Sequence, residues 1–179
     1  SQPSASRLPR GLRPLGYRNF RRVWIGAFVS NIGTWVETVA VGIYVTQLTG
    51  KASWTGIVAA AGFLPGAILG GALADRIPRK TLLIVTTTVE ALSAALLGVL
   101  VYLNAAPPLA VTAIAFVAGA AGTISWPTFS AILPELIPTE ELSGAIGLSS
   151  AQWNLGRILG PIAAAIVIAL GGYSLAFFI

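Results

Sequence analysis

Long apolar segments follow one another along this chain of 179 residues, and the connections between them are short. A helix of about twenty apolar residues crosses a hydrocarbon core of roughly 30 Å. We predict five complete spans and the start of a sixth, at residues 23–48, 54–73, 81–103, 109–133, 143–170 and 174–179. Charged residues make up only 9% of the chain, against about 25% in soluble domains. The pattern predicts an all-α membrane protein.

Basic residues are concentrated before the first span and indicate the orientation of the chain. Residues 1–22 hold six of the eleven Lys and Arg residues, and such residues stay preferentially on the cytoplasmic side of a membrane. Residues 1–22 are therefore predicted to be a basic cytoplasmic arm, and residues 23–179 the transmembrane bundle. The predicted outer connections contain one base, Lys51. Because the net charge of +5 arises from the arm, we expect no binding of nucleic acid.

The chain contains no Cys and no His. Disulfides, thiol nucleophiles, the usual zinc sites and imidazole acid–base catalysis are thereby excluded. No glycine-rich phosphate loop ending in Lys-Ser or Lys-Thr occurs either, so an ion gradient is a better candidate energy source than ATP. We expect no cofactor, no metal and no enzyme activity.

Three predicted spans carry polar stripes, because their hydrophilic residues recur on one helical face at about 100° per residue. The stripes consist of Ser30, Asn31, Thr34, Glu37 and Thr38 in the first span, Thr86, Thr87, Glu90 and Ser93 in the third, and Ser150, Asn154 and Arg157 in the fifth. Such a stripe is expected to face a cavity or a neighbouring helix, not lipid.

Glu37, Glu90 and Arg157 are charged residues within predicted spans. A charge near the middle of a span costs about 2.5–3.5 kcal/mol on insertion scales, so these side chains should face a bundle interior or a wet cavity. We interpret them as candidates for proton coupling or for lining a cavity, together with the polar residues Asn31, Thr34 and Asn154. The alternative is structural: a Glu–Arg pair, or a protonated Glu that donates one hydrogen bond, would only lock helices together.

Small residues recur every four positions in two of the spans. The rows are Gly62, Gly66 and Gly70 in the second span and Gly156, Gly160 and Ala164 in the fifth, and each contains a proline, Pro65 or Pro161. Small residues let helices approach closely, and a proline permits a kink. Tight packing is the simplest role for any one glycine, but the repetition in spans two and five is what a three-plus-three transporter repeat would produce.

Charge returns abruptly in the connection between the second and third spans. Gly71 is followed after three residues by Asp75-Arg76, and after one more by Pro78-Arg79-Lys80. This spacing resembles the signature loop of the major facilitator superfamily, with Pro78 in place of the usual Gly. In the fifth span, Gly147, Gly156 and Gly160-Pro161 resemble the motif associated with proton-coupled exporters of that superfamily, with Ala164-Ala165 in place of its final glycine pair.

Three further stretches are similar to the bacterial exporter branch that includes enterobactin and macrolide exporters, namely residues 18–21, 30–35 and 154–161. The resemblance covers residues 16–179. It implies the N-terminal six-helix half of a twelve-span fold in a bacterial inner (plasma) membrane. The partners that it implies are the lipid bilayer, a small-molecule substrate and the missing C-terminal half.

The resemblance also implies alternating access, in which two six-helix halves rock around a midplane cavity. An inner-loop latch would consist of Gly71, Asp75, Arg76, Arg79 and Lys80, with the Asp75 carboxylate meeting a helix N-terminus in the other half. Gating and packing in the fifth span would fall to Gly147, Gly156, Gly160 and Pro161. The fourth span lacks the Arg of many proton-coupled members, so Glu37 or Arg157 would serve the proton step. The simpler alternative for the charged loop is a topology anchor.

We therefore predict a secondary active transporter that exports an amphipathic small molecule of the drug, macrolide or siderophore class, driven by proton entry. A gradient-driven importer of the same fold is the nearest alternative. A non-transporting interaction module would need one adhesive face and no polar lumen, and the three polar stripes argue against it.

Overall fold

Five α-helices account for most of the chain in the computed structural model, which describes residues 9–69 and 78–178. They are α1 (Arg18–Thr49), α2 (Ser53–Leu69), α3 (Arg79–Tyr102), α4 (Pro108–Leu136) and α5 (Leu142–Phe177), and these ranges contain no β-strand. Within the described ranges, α1, α3, α4 and α5 are long and apolar enough to cross a membrane. The all-α membrane fold predicted from the apolar segments is confirmed.

The helix ends follow local backbone chemistry. Gly50 ends α1 in the left-handed conformation, with φ 67°, which costs glycine little because it has no Cβ. Pro108 occupies the first turn of α4, where its missing N–H needs no partner. Within α5, Gly172 has φ 72° and ψ −175°. Two helical segments meet there, at the position of the predicted connection 171–173.

The predicted cytoplasmic arm is partly folded onto the bundle. A 3-10 helix, Arg10–Gly16, precedes α1 and packs against α5. Residues 18–22 belong to α1, which begins five residues before the predicted span 23–48. Pro14 and Phe20 are almost fully buried, because the arm covers the ends of α4 and α5. An apolar seam, and not charge alone, fixes this segment.

Three helix pairs make the largest contacts in the bundle, since α1 packs along α5 and α4 packs along both α2 and α3. Trp24 of α1 contacts Leu148 of α5 near the start of both helices, and Tyr44 contacts Tyr173 near the end of both. The two helices therefore run parallel, as first and fifth spans must if each connection reverses direction. In a three-plus-three repeat, the first span corresponds to the fourth and the second to the fifth. The α1–α5 pair then corresponds to the α4–α2 pair, and the bundle contains both.

The apolar core consists of two clusters, one toward each end of α1. The cluster at its start contains Phe20, Phe129, Leu133, Ile137 and Ala145. The larger cluster lies around its second half and contains Val36, Ala40, Val41, Val45, Val58, Leu97, Ala106, Val111, Ile114, Ala164, Ala176 and Phe177. Large apolar side chains also remain on the outside, with Phe63 80% and Leu170 81% exposed. Such an exterior suits lipid contact.

Candidate functional site

Two acidic residues lie inside the bundle, Glu37 on α1 and Glu90 on α3. Each is partly buried, and each lies within electrostatic range of the other. No ion pair of the described residues joins either of them to Arg157 or to another base. The structure thus brings together two of the three charged residues that the stripes predicted, and one negative charge is less costly in this pair than two.

A chain of hydroxyl groups connects Glu90 to the next helix. Ser125 of α4 lies beside Glu90 and donates to Thr86 Oγ1 of α3 at 2.7 Å. Thr86 Oγ1 in turn donates to the Leu82 carbonyl oxygen at 3.0 Å. Ser125 therefore ties α4 to α3 next to the Glu90 carboxyl group.

Glycine makes room for this carboxyl group. A methyl group added at Gly122 of α4 would lie 3.2 Å from Glu90 Oε1, which is tighter than an ordinary contact. The Glu90 side chain therefore packs against the backbone of α4.

Polar and small residues line the seam between α1 and α5. Asn31 Nδ2 donates to the Gln152 backbone carbonyl oxygen at 3.0 Å. A Cβ at Gly156 would overlap the Asn31 side chain, and a Cβ at Gly160 would overlap Trp35 Cβ. Gly156 and Gly160 are therefore the positions at which α5 accepts two side chains of α1, one helical turn apart.

Three tryptophans meet where this seam reaches α4. The Trp35 and Trp153 ring centroids lie 5.7 Å apart with the rings edge to face, and those of Trp126 and Trp153 lie 4.9 Å apart. Trp126 and Trp153 are 40% and 39% exposed. We call Trp35, Trp126 and Trp153 the tryptophan wall. It joins α1, α4 and α5 and presents indole surface outward.

The other predicted stripe residues divide between the outside and the interior. Thr34, Asn154 and Arg157 are all exposed, whereas Ser93 is buried. Thr34 Oγ1 donates to the Ser30 carbonyl oxygen at 3.1 Å, and Asn154 Nδ2 donates to the Ser150 carbonyl oxygen at 2.8 Å, so both bond within their own helices. Gly147 is exposed with no heavy atom within 4 Å of an added Cβ, unlike Gly156 and Gly160. Pro161 directly follows the tight contact at Gly160.

The predicted inner-loop latch is only partly described. Gly71, Asp75 and Arg76 lie outside the described residues. Arg79 begins α3 and donates to Glu135 Oε1 at 3.0 Å and to the Ala131 carbonyl oxygen at 3.1 Å, which ties the start of α3 to the end of α4. Lys80 is exposed. The latch itself stays a prediction.

Several residues at this site escaped the sequence analysis. Ser125 and Gln152 belong to none of the predicted polar stripes, so nothing in the sequence singled them out. Trp35, Trp126 and Trp153 lie in different helices, and only the packing brings them together. The available signal was that Trp35 ends one stretch that carried the family resemblance and that Trp153 directly precedes another.

A family model described as transmembrane secretion effector matches residues 10–179. Macrolide efflux protein A of Streptococcus pyogenes is 28% identical over 151 residues, which are 83% of this chain and 37% of that protein. The staphyloferrin A transporter of Staphylococcus aureus is 29% identical over 148 residues, 80% of this chain and 37% of that protein. The probable anion transporter 2, chloroplastic, of Oryza sativa subsp. japonica is 31% identical over 139 residues.

The chain thus spans 37% of the length of the two bacterial relatives and 25% of the plant protein. No solved structure gave a significant match.

Proposed function

Because the chain belongs to the transmembrane secretion effector family of the major facilitator superfamily, we propose that it acts as part of a secondary active exporter, driven by proton entry and specific for an amphipathic small molecule. The recognition of the superfamily from sequence is confirmed, and so is a multi-pass location in the plasma membrane. Membership of a transporter family supports a transport function, and the proposal concerns its direction, its coupling ion and its substrate class.

The observation that carries the proposal is the presence of two partly buried acids, Glu37 and Glu90, inside the bundle and within electrostatic range of each other. Ionisable residues within spans are costly and usually mark ion or proton pathways. Two repelling carboxyl groups without a neighbouring base are suited to holding and releasing a proton. A purely structural lock would be better served by an acid–base pair, and none of the described residues forms one here.

We assign the two acids different roles. Glu90 lies beside Ser125 and packs against Gly122, both on α4, so we give it a packing role between α3 and α4. Glu37 forms no hydrogen bond of its side chain within the described residues and lies on the same polar stripe as Thr34 and Thr38, which are exposed. Glu37 is therefore the proposed coupling residue, which binds a proton from one side of the membrane and releases it to the other.

The substrate class and the energy source follow from the same features. The tryptophan wall and the polar stripe of α1 offer an apolar and a polar surface to one ligand, which suits an amphipathic molecule. Two relatives are named for macrolide efflux and for staphyloferrin A transport, and these names support the macrolide or siderophore class. We propose an ion gradient as the sole energy source, with no cofactor.

Replacing Glu37 with Gln tests the coupling. The full-length protein would be reconstituted in liposomes loaded with a pH-sensitive dye, and erythromycin added as the trial substrate. We expect the wild type to move protons on addition of erythromycin and Glu37→Gln to move none, since the amide cannot release a proton. Exchange of labelled erythromycin across the membrane should persist in the variant, because exchange requires no net proton step.

Glu140→Gln is the matched control, because Glu140 is exposed outside the spans, and it should behave as wild type. Proton movement by Glu37→Gln at the wild-type rate would remove Glu37 from the coupling mechanism.

A further inference from the structure

Three buried side-chain polar atoms lack a hydrogen-bond partner in the part of the chain that the structure describes, and all three belong to residues of the α1–α5 seam. They are Asn31 Oδ1, Trp35 Nε1 and Gln152 Oε1. Asn31 and Trp35 stand one turn apart on α1, and Gln152 is the residue whose backbone oxygen accepts the Asn31 bond. We call this group of three atoms the polar notch.

Such a concentration is unusual, because buried polar atoms in native structures nearly always have a partner. Gln152 is 1% and Asn31 7% exposed, so neither amide oxygen is directed to the outside. Other buried polar side chains, such as Thr86 of α3 and Ser149 of α5, are hydrogen-bonded. The notch therefore differs from its surroundings.

The notch lies directly behind the tryptophan wall. Trp35 belongs to both, since its ring contacts Trp153 while its Nε1 is one of the three atoms. Gln152 immediately precedes Trp153 in α5. Trp35 and Trp153 therefore place the notch next to the indole surfaces that the wall exposes.

The chemistry of the three atoms selects a neutral group. Two amide oxygens only accept hydrogen bonds and an indole N–H only donates one. A hydroxyl group can donate to an amide oxygen and accept from the indole at the same time. An ammonium group has no acceptor and a carboxylate has no donor, so neither charged group satisfies the set.

From these observations we infer that the tryptophan wall and the polar notch form a substrate subsite for a hydroxylated ring compound, whose apolar face lies against the indoles and whose hydroxyl group bonds in the notch. Indole faces bind apolar ring surfaces well. The inference rests on the proposed transport function and adds to it which residues hold the substrate.

The subsite is connected to the carboxyl pair through two helices. Glu37 follows Trp35 by two residues on α1, and Ser125, the partner of Glu90, precedes Trp126 on α4. A ligand that moves Trp35 or Trp126 therefore moves the helices that carry the proton site. Ligand binding at the subsite is thereby linked to proton binding at the two acids.

Equilibrium binding of radiolabelled erythromycin, a hydroxylated macrolactone, tests the subsite in the full-length protein held in lipid nanodiscs. Gln152→Met keeps the side-chain volume and removes one notch oxygen. We expect erythromycin to bind about tenfold more weakly to this variant, the equivalent of one hydrogen bond, while the melting temperature of the unliganded protein stays equal or rises. Peracetylated erythromycin, which has no hydroxyl donor, should bind wild type and variant alike.

The wall is tested by Trp153→Ala and Trp153→Phe. The alanine variant should lose about tenfold or more in erythromycin affinity, because the stacking surface is gone, and the phenylalanine variant should retain most of it. Trp54→Phe is the matched control, because Trp54 packs in the larger core cluster on α2, away from the wall, and should bind as wild type.

Each result decides between the alternatives. Unchanged affinity in Gln152→Met would show that the notch is occupied only by water or serves packing, and would overturn the inference. So would the absence of erythromycin binding to the wild type, or equal affinities in Trp153→Ala and Trp54→Phe. Normal gradient-driven export together with unchanged affinities would remove the subsite and leave the proposed function standing. If erythromycin binds as expected but cells that express the protein do not export it, the subsite stands and the proposed function is contradicted.

Discussion

The importance of a single glycine in this protein depends on how closely the backbone of a neighbouring helix approaches it. Gly160 and Gly147 belong to the same fifth-span motif, yet only Gly160 meets a neighbouring helix, at Trp35. The motif alone could not distinguish them, because its spacing does not say which side of α5 faces α1.

Gly160→Ala and Gly147→Ala therefore form a matched pair. The added methyl group at Gly160 overlaps Trp35 Cβ, and overpacking of this kind costs about 1–3 kcal/mol. At Gly147 nothing lies within 4 Å of the new Cβ, and alanine favours a helix by up to about 1 kcal/mol over glycine. We expect a lower melting temperature for Gly160→Ala and an equal or higher one for Gly147→Ala, measured on the purified full-length protein. Equal melting temperatures would show that the seam can open without cost.

The sequence predicted that Glu37 and Glu90 belong to the site, but it did not predict that they lie near one another. Glu37 and Glu90 stood out because acids are rare within apolar spans. How near they lie depends on how α4 and α5 place α1 and α3 in the bundle, and no spacing along one helix contains that information. The same holds for Ser125, whose role becomes visible only beside Glu90 and Thr86.

At the level of helices, α1–α5, α2–α4 and α3–α4 are the main contacts of the bundle. A Cβ at Gly119 of α4 would overlap the backbone of Gly62 in α2, so this second seam also depends on direct backbone contact. The glycine rows predicted close packing in spans two and five. They did not predict that the partners would be α4 and α1, since either row could have faced any neighbour.

The start of α1 is the element whose role differs most from the prediction. Phe20 is 1% exposed within the smaller apolar cluster, and Arg13 lies 3.8 Å from Glu141 across the same junction. The arm was predicted from charge, whereas its attachment depends on apolar burial. A partly exposed ion pair contributes little by comparison.

Phe20→Ala tests this attachment. Removing a buried phenylalanine side chain costs about 3–5 kcal/mol, so the full-length variant should melt at a clearly lower temperature. Phe63→Ala is the control, because Phe63 is 80% exposed on α2 and has little packing to lose. Equal melting temperatures for the two variants would show that the arm does not stabilise the bundle.

For the whole molecule, length and hydropathy alone predicted most of the fold. The apolar segments coincide with the helices to within a few residues at most ends, because the bilayer dictates both length and composition. The exceptions are the start of α1, where an arm of mixed polarity continues the helix, and the break at Gly172, where the helix resumes after one non-helical residue. Orientation in the membrane stays a prediction, based on the concentration of bases in residues 1–22.

The central claim is that this chain is part of a proton-driven exporter. The most direct measurement is the accumulation of radiolabelled erythromycin, with a panel of dyes and siderophores, in an efflux-deficient bacterium that expresses the complete reading frame. We predict lower accumulation of at least one compound than in cells carrying the empty vector, and recovery to the empty-vector level when an uncoupler dissipates the proton gradient. Accumulation above the empty-vector level, or no change across the whole panel, would contradict the account.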